Sequence, residues 1–401
     1  MKLQSFPNSH LTYCLNIHAG ESWEENLQAI RNKTLLVRDE VAEDNPFGLG
    51  MRLSAAAAET LAREHALEEF RSFLEQENLY VFTINGFPYG RFHGSSVKEN
   101  VYFPDWRSKE RLNYTIRLAD ILAELLPPNI EGSISTVPGS FKSWIRSSED
   151  IVSMVANLAE LVVHLNSIFE TSGKVIHVGL EPEPSCFVET TDELISFFSD
   201  YVLPKGGSIL SEVLKMPQPS CEKLLRRHLG VCLDTCHTAI QFEDIATAAK
   251  RYDEAGIRIS KCQLSAALAG TAGEADLVAL ADFDEPVYLH QVKARRASGE
   301  ICGWDDLGPA LSAFVSDKDF EEVRIHFHVP IFLRQFKALG STVATLCPEA
   351  LELVASTGCR HFEIETYTFE ILPEELRQEG VIASIVREFV AARSLFGIEP
   401  V

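Results

Sequence analysis

Short apolar runs rich in β-branched and aromatic residues alternate with longer amphipathic segments along almost the whole chain. This alternation is typical of βα units that build a parallel sheet. Eight runs have the length and composition of buried strands, and they cover residues 11–18, 47–54, 79–85, 131–137, 175–183, 231–237, 257–265 and 361–367.

Amphipathic helices are predicted between these strands. In residues 54–78, Leu61, Leu67, Phe70 and Phe73 recur at spacings of three, with one gap of six, and charged residues fill the other positions. Eight strands with intervening helices close most economically into a (β/α)₈ barrel. We therefore expect an α/β TIM barrel that forms a single domain over residues 1–401. A doubly wound open sheet is the alternative, but no G-x-G-x-x-G motif follows an early strand.

The connection between the seventh and eighth predicted strands is unusually long. It covers residues 266–360 and contains two further strand-like runs, VYLHQVKA and EVRIHFHVPIF. Loops of this length inside a compact fold are usually functional or disordered, and the apolar content argues against disorder. We predict a folded insertion between strands seven and eight.

Composition restricts the partners and the compartment. The formal net charge is −22, from 36 basic and 58 acidic side chains, and a surface of that sign repels nucleic acid. Nine cysteines are scattered without a C-x-x-C pair, which does not fit a disulfide framework. The first residues lack a signal-peptide pattern, and no run of about eighteen apolar residues occurs. We expect a cytoplasmic protein without membrane insertion.

Ionisable residues lie at the predicted carboxyl ends of several strands, which meet at one rim of a TIM barrel. Glu181 ends the fifth strand, Asp234 the sixth and Glu365 the eighth, while Gln263 lies in the seventh. Uncompensated carboxylates there would cost several kcal/mol, so three from separate strands indicate a cation between them. Oxygen ligands suit Mn²⁺ or Mg²⁺, and added imidazoles favour Zn²⁺ or Fe²⁺. The alternatives are a hydrogen-bond network and, for Asp234, a cap on the next helix.

Histidines extend the candidate set of ligands. His237 begins a loop three residues after Asp234, where it would bind either the ion or the substrate. His326 and His328 alternate along one predicted strand, so both point to one face, as two ligands would. His290 is a further candidate ligand from the insertion.

Other polar residues at the rim are candidates for substrate binding, and they are His18, Asn85, His93 and Glu183. The two histidines among them could equally contact the metal. Glu181 and Glu183 share one side of a strand, but Pro182 stops normal pairing there. We therefore expect Glu181 to be the inward ligand and Glu183 a rim group. Cys236 is expected to pack in the core rather than to act as a nucleophile.

These residues resemble those of the xylose-isomerase-like barrel superfamily, which includes sugar isomerases, ketose epimerases and type IV endonucleases that act at abasic sites. CLDTCH, residues 232–237, is similar to the endonuclease group's sixth-strand motif, whose Asp and His are zinc ligands. Glu181 and Glu365 resemble the superfamily's fifth-strand and last-strand glutamates. The superfamily often has a histidine ligand in strand seven, where this chain has Gln263.

Longer motifs resemble the EboE family. They are NIHAGESW, FTINGFPYGRFHG, LEPEP, LDTCH, IHFHVPIF and IETYTFEILP. Members of that family are described as metabolite-traffic proteins with a sugar-isomerase-like barrel, encoded in a gene cluster linked to export of a precursor metabolite across the inner membrane. The resemblance implies a small-molecule metabolite and other proteins of the same pathway as partners. It does not supply a reaction.

Together these observations predict a metal-dependent enzyme that isomerises or epimerises a small polyhydroxylated or cyclitol-like metabolite. The ion would bind adjacent substrate oxygens and stabilise an enediolate, which makes the neighbouring C–H more acidic. Glu181 and Glu365 would move the proton as paired acid and base, and His237 would orient or relay it. A non-catalytic carrier is the second hypothesis. An endonuclease relative is the third, and the negative charge disfavours it.

Overall fold

The computed structural model of the protein describes residues 1–3, 6–93 and 97–398. The strands, numbered in chain order, are β1 (His10–Tyr13), β2 (Phe47–Arg52), β3 (Leu79–Asn85), β4 (Gly132–Thr136), β5 (Ile176–Leu180), β6 (Leu229–Asp234), β7 (Arg258–Leu264), β8 (Ala266–Gly270), β9 (Val292–Arg296), β10 (Ile301–Trp304), β11 (Phe320–Val329), β12 (Gln335–Phe336), β13 (Leu339–Ser341) and β14 (His361–Ile364).

The α-helices are numbered in the same way. They are α1 (Trp23–Ala29), α2 (Leu35–Val41), α3 (Ala55–Leu61), α4 (Glu64–Gln76), α5 (Lys109–Leu125), α6 (Ser148–Ser172), α7 (Thr191–Phe197), α8 (Gly207–Leu214), α9 (Gln218–His228), α10 (Thr235–Ile240), α11 (Ile245–Glu254), α12 (Glu274–Leu280), α13 (Leu307–Ser316), α14 (Pro348–Ser356), α15 (Glu374–Arg377) and α16 (Gly380–Leu395). The amphipathic run 54–78 thus forms two helices, α3 and α4, rather than one.

Eight of the strands form a parallel barrel. Their order around the sheet is β1, β14, β7, β6, β5, β4, β3 and β2, and every neighbouring pair is parallel. A parallel bridge between Cys14 and Gly50 connects β1 to β2 and nearly closes the barrel. All residues of β2, β4 and β6 are buried, as expected for strands of a parallel sheet that is covered on both faces. The predicted (β/α)₈ fold is confirmed.

Several barrel strands end earlier than the sequence pattern indicates. β1 ends at Tyr13 and a 3-10 turn, Leu15–Ile17, follows, so His18 lies in the loop beyond it. β5 ends at Leu180, which places Glu181 and Glu183 in a loop. Beyond the last paired residues, the backbone no longer follows the strand direction. The polar residues of the rim therefore lie on loops whose side chains can turn into the barrel mouth.

Helices cover the outside of the barrel. Among the described helices, α6 is the one that is long and apolar enough, by length and composition, to cross a membrane. Half of its apolar window is buried inside the protein, and the helix packs against α5, α8 and α9. It begins at a capping box formed by Ser147 and Asp150 and ends before Gly173, whose φ is +71°. In this structure α6 is therefore part of the helical layer.

The insertion after β7 contains a second sheet. Six antiparallel strands have the order β10, β9, β11, β8, β13 and β12. One residue separates β7 from β8, so this sheet extends directly from a barrel strand. The two strand-like runs predicted from the sequence correspond to β9 and β11, although β9 begins only at Val292. After the sheet, α14 packs against α11 and leads the chain back to β14.

Strand β11 is held across the carboxyl ends of the barrel strands. Arg324 of β11 donates a hydrogen bond of 2.5 Å to the backbone oxygen of Ala239 at the end of α10. Farther along, the backbone oxygen of His328 accepts a hydrogen bond from the Thr368 hydroxyl, in the loop after β14. The insertion thus places the side chains of one strand directly over the barrel rim.

Candidate metal centre

The segment CLDTCH folds as the end of a strand followed by a helix. β6 ends at Asp234, and Cys236 and His237 lie in the first turn of α10. Glu181 follows the last residue of the neighbouring strand, β5. All four side chains are buried. Two adjacent βα junctions therefore bring two carboxylates, a thiol and an imidazole to one part of the rim.

Asp234 caps α10 with one oxygen and leaves the other free. Its Oδ1 accepts hydrogen bonds from the backbone N–H groups of Cys236 at 2.7 Å and His237 at 3.0 Å. The Ser265 hydroxyl donates to the same oxygen at 2.7 Å. Oδ2 is buried and has no hydrogen-bond partner among the described residues. The capping interpretation is confirmed for Oδ1, while Oδ2 is available to a cation, since an unpaired buried carboxylate oxygen is costly.

Strand β11 contributes two imidazoles from the insertion. His326 and His328 alternate with Phe327, and successive residues of a strand point to opposite faces. The Phe327 ring packs edge-on against Phe283 within the insertion, with ring centroids 4.9 Å apart. The His326 and His328 rings lie 5.1 Å apart, and the first lies 4.6 Å from the His237 ring. The prediction that these two histidines share a face is confirmed.

The Nε2 atoms of these three histidines converge. His326 Nε2 lies 3.0 Å from His237 Nε2 and 3.1 Å from His328 Nε2. Each Nδ1 atom faces a carbonyl oxygen instead. The partners are Pro182 O for His237 at 3.0 Å, Gln291 Oε1 for His326 at 2.6 Å and Glu365 O for His328 at 2.8 Å. Because a carbonyl oxygen only accepts, each Nδ1 carries a proton, and in a neutral ring the Nε2 atom then presents a lone pair.

A hydrogen bond donated by one protonated ring does not pair all three Nε2 atoms. Burial, together with the neighbouring His237 and His328, lowers the pKa of His326 well below its usual range, so its ring is neutral. Burial disfavours the charged form of His328, but Cys236 and Glu365 outweigh it and raise its pKa well above the usual range. A charged His328 can donate to His326. The contact between His326 and His237 then still consists of two facing lone pairs.

With all three rings neutral, a metal ion would satisfy all three Nε2 lone pairs at once. Zn–N bonds of about 2.0–2.1 Å in tetrahedral geometry place ligand nitrogens about 3.3–3.4 Å apart. The observed separations of 3.0 and 3.1 Å are close to that spacing. Metal-bound histidines usually donate their other ring N–H to a carbonyl or carboxylate, as all three do here. The residues therefore fit a divalent transition-metal ion.

Within the described residues, three overlapping groups of buried side chains have ligand atoms within 4.8 Å of one another. These groups are His237, His326 and His328; Asp234, Cys236 and His328; and Glu181, Asp234 and His237. Because the groups share members, they form one connected set, which we call the rim cluster: Glu181, Asp234, Cys236, His237, His326 and His328.

Glu181 and Gln263 form a buried pair beside the imidazoles. Burial raises the pKa of Glu181 well above its usual range, and Asp234 and Glu365 add to the shift. Oriented with its nitrogen toward the carboxylate, the Gln263 amide donates to both Glu181 oxygens, at 3.0 and 3.2 Å. Gln263 thus contacts a carboxylate of the rim cluster, and its role as a metal ligand stays a prediction.

Two other predicted ligands lie beside the rim cluster rather than in it. Glu365 accepts a hydrogen bond of 2.6 Å from Asn16 at Oε1, and its Oε2 lies 2.8 Å from His328 Nδ1. Both ring nitrogens of His290 are engaged elsewhere, with the backbone oxygen of His326 at 2.9 Å and with Glu285 at 2.8 Å. His290 thus supports the strand that carries His326, and Glu365 orients His328.

A cavity opens beside the rim cluster. Glu181, Glu183, His237, His326 and Glu365 line it, with the amides of Asn16 and Asn85. Its walls include the aromatic residues Phe87, Phe92, Tyr102, Tyr288 and Tyr367. A small molecule in this cavity would contact carboxylates, imidazoles and amides on one side and aromatic rings on another. Such a lining is typical of a site for small molecules.

The four residues predicted to bind substrate divide into two pairs. Asn85 and Glu183 line the cavity. His18 does not line it and lies 2.9 Å from the hydroxyl of Tyr13. His93 is also absent from the lining, and its Nε2 donates to the backbone oxygen of Asn16 at 2.7 Å. The structure therefore places these two histidines behind the cavity wall.

Among the residues of the site that were not identified from the sequence are three with hydrogen bonds to its carboxylates or imidazoles. They are Asn16, Tyr102 and Gln291. Asn16 begins the motif NIHAGESW and Gln291 directly follows His290, so both lie within segments already singled out. Tyr102 has no comparable signal, because it reaches the site from a 3-10 turn, Lys98–Tyr102, far along the chain from its partners.

No protein-family model matches the chain, and no curated protein sequence matches it. Among solved structures, it is similar to an IolI protein with a bound zinc atom, at 12% identity and a TM-score of 0.48 over 97% of this chain and 98% of that one. A probable 3-DHS dehydratase, AsbF of Bacillus anthracis, involved in petrobactin synthesis, has 12% identity and a TM-score of 0.44, with 96% and 98% covered.

A xylose isomerase domain protein of Planctomyces limnophilus has 14% identity and a TM-score of 0.46, with 90% of each chain covered. Xylose-isomerase-like barrel proteins are thus among the structural neighbours. At these identities and TM-scores, the similarities assign no family. The barrel architecture is established by the strand order of the chain itself.

Proposed function

We propose that this protein is a metal-dependent enzyme of the xylose-isomerase-like type that isomerises or epimerises a small polyhydroxylated or cyclitol-like metabolite. One observation carries the proposal: three buried imidazole Nε2 atoms converge with contacts of 3.0 and 3.1 Å beside a cavity of small-molecule type. The orphan oxygen of Asp234 and the carboxylate of Glu181 complete a donor set for one cation.

The donor set indicates which metal belongs there. Imidazole nitrogens favour Zn²⁺ or Fe²⁺, whereas Mg²⁺ and Mn²⁺ prefer sites built mainly from oxygen ligands. Three of the six members of the rim cluster are histidines, and one is a cysteine. We infer that Zn²⁺ or Fe²⁺ is the resident ion. When bound, such an ion polarises substrate oxygens as a Lewis acid.

The residues of the chain would then bind the metabolite and move its protons. Glu181 and Glu365 both line the cavity and both lie near the imidazoles. Burial raises the pKa of Glu181, which suits a carboxyl group that both gives and accepts a proton. Asn16 donates to Glu365 Oε1, while Glu365 Oε2 lies 2.8 Å from His328 Nδ1. His237 would orient the substrate or relay a proton.

Metal content tests the proposal directly. Protein purified without chelator should retain about one equivalent of Zn²⁺ or Fe²⁺ by elemental analysis. His326→Ala and His328→Ala should each lose most of it, because each removes one of three converging nitrogens. His164→Ala is the matched control, because that histidine lies on α6 and pairs with Asp120 at the surface. Wild-type protein that folds normally and binds none of these metals would refute the proposal.

Turnover requires a separate experiment because the substrate is unknown. A metabolite extract incubated with the loaded protein should show conversion of one component by mass spectrometry. Glu365→Gln should abolish this conversion while the metal remains bound, because Glu365 lies outside the rim cluster. Glu181→Gln should abolish it as well. Retention of a metabolite without any conversion would instead support a carrier. That second candidate is favoured by Gln263, whose amide is engaged with Glu181 where the superfamily often has a histidine ligand.

The biological setting is a further part of the proposal. The motifs shared with the EboE family support a role in metabolite traffic linked to export, in the cytoplasm and with other proteins of the same pathway. Nucleic acid is an unsuitable partner, because the net charge is −22 and three carboxylates line the cavity. Failure to cleave abasic duplex DNA with Zn²⁺ present would agree with this assignment, and cleavage would contradict it.

A further inference from the structure

His326 has the most extensive support of the three imidazoles. Its Nδ1 donates to Gln291 Oε1 at 2.6 Å. The side chain of Gln291 is completely buried. In the chain, Gln291 immediately precedes β9 of the insertion. Its Nε2 donates to the Tyr102 hydroxyl at 2.7 Å and to the backbone oxygen of Pro184 at 3.0 Å. Gln291 therefore connects the insertion to two loops of the barrel rim.

Tyr102 extends this connection to a carboxylate. Its hydroxyl donates to Glu183 Oε1 at 2.6 Å and accepts from Gln291. Every link thus has the same direction: His326 Nδ1–H to Gln291, Gln291 N–H to Tyr102, and Tyr102 O–H to Glu183. The final acceptor can be a carboxylate, which donates no proton back along the chain when ionised. Hydrogen bonds aligned in one direction polarise and strengthen one another.

We propose that Gln291 and Tyr102 are positioning residues that hold His326 in the tautomer whose Nε2 lone pair points into the rim cluster, with Glu183 as the terminal acceptor. This inference rests on the proposed metal site and adds residues that set its affinity. It also gives Glu183, the second glutamate of LEPEP, a role in orienting a ligand in addition to its place in the cavity wall.

The tautomer matters because an imidazole has one proton for two nitrogens. Without the Gln291 oxygen, the contact recorded for His326 Nδ1 among the described residues is Glu183 Oε1 at 3.4 Å, which is too long for a strong hydrogen bond. The ring could then place its proton on Nε2, where it would oppose a cation. Loss of such a supporting contact typically weakens metal affinity 10–100-fold.

Zn²⁺ affinity of the full chain tests the inference. Wild-type, Gln291→Leu and Tyr102→Phe proteins are stripped of metal and titrated with Zn²⁺ in competition with a chromophoric chelator. Gln291→Leu should weaken binding about 10–100-fold, and Tyr102→Phe should weaken it less, because it leaves the carbonyl acceptor in place. Tyr288→Phe is the control. It also removes a buried hydroxyl from the cavity wall, but one bonded to Phe92 and His93.

The tautomer of His326 is measured in metal-free protein. ¹⁵N NMR of metal-free wild-type protein should show His326 protonated at Nδ1 and unprotonated at Nε2, and Gln291→Leu should lose this signature. Melting temperatures of the metal-free variants separate a folding defect from a change of tautomer. An Nε2-protonated His326 in the wild type, or an unchanged tautomer in Gln291→Leu, would overturn the inference whether or not metal binds. Absence of metal binding in a wild type with the expected tautomer would refute the proposed function alone.

Discussion

The ion pair between Lys261 and Glu363 gives a strong test of how this barrel tolerates charge in its interior. Both side chains are 0% exposed, and Lys261 Nζ lies 2.5 Å from Glu363 Oε2 and 3.2 Å from the Thr83 hydroxyl. Burial opposes the charge of Lys261, but Glu363 outweighs it and raises the pKa of Lys261. At an effective dielectric constant of 20, two unit charges at this separation attract by about 6–7 kcal/mol. Desolvation offsets much of that attraction.

Removal of one partner should therefore destabilise the protein strongly. Glu363→Gln leaves a buried ammonium group unpaired, and Lys261→Met leaves a buried carboxylate, each at a cost of about 3–5 kcal/mol. For a chain of this length, that corresponds to a loss of about 4–6 °C in melting temperature. Lys261→Met/Glu363→Leu should recover to within about 1 kcal/mol of the wild type, or exceed it, since apolar residues replace such pairs well.

Thermal and denaturant unfolding in chelator-containing buffer measure these differences. Glu124→Gln is the control. It breaks the exposed ion pair between Glu124 and Arg71, whose charged atoms lie 2.7 Å apart. It should lower the free energy of unfolding by less than about 1 kcal/mol. If the two buried single variants are no less stable than this control, or if the double variant is as unstable as they are, the reasoning fails.

Two further predictions concern the barrel itself. A Cβ atom at Gly50 would lie 2.2 Å from Glu363 Oε1 and 2.7 Å from the Tyr13 backbone oxygen, so Gly50→Ala should lower the melting temperature, whereas Gly90→Ala, with open space around it, should not. Burial lowers the pKa of His177 from 6.5 to about 4, so below pH 6.5 the unfolded chain binds a proton that the folded state excludes. The contribution of His177 to the free energy of unfolding is complete above pH 6.5. It should fall by about 2 kcal/mol between pH 7 and pH 5 in urea titrations. Equal pH dependence in His177→Asn would contradict this assignment.

The barrel could be predicted from the sequence because its signals are local. A buried parallel strand is apolar throughout, as in β6, and a surface helix alternates with it, so each βα unit is recognisable by itself. The strand ends were less predictable. Residues such as His18 and His237 continue the apolar runs in the sequence, but pairing stops earlier because the neighbouring strands end there.

The insertion was underestimated for a related reason. β8 consists of AALAG, and β12 and β13 have two and three residues, so none carries a strand signal of its own. They become strands because β11 offers a long edge on which β8 can pair, and β13 then pairs with β8. Strand formation there depends on tertiary contacts, which a local pattern does not contain.

The candidate site also combines features that a local pattern predicts with features that depend on tertiary contacts. The same-face geometry of His326 and His328 follows from their alternation, and the cap formed by Asp234 follows from its place at a strand end. The place of His290 outside the rim cluster does not follow from any pattern. It depends on tertiary contacts, because Glu285 and the backbone oxygen of His326 engage both ring nitrogens of His290.

The three imidazoles come from both the barrel and the insertion. His237 belongs to a barrel helix, whereas His326 and His328 belong to the inserted sheet, and their Nδ1 partners lie in loops of both units. A cation bound to all three nitrogens therefore contributes its binding free energy to the contact between the two units as well as to the site. Without the ion, the same contact brings lone pairs together and opposes docking. In the proposed metal site, occupancy would therefore influence how firmly the insertion packs on the barrel rim.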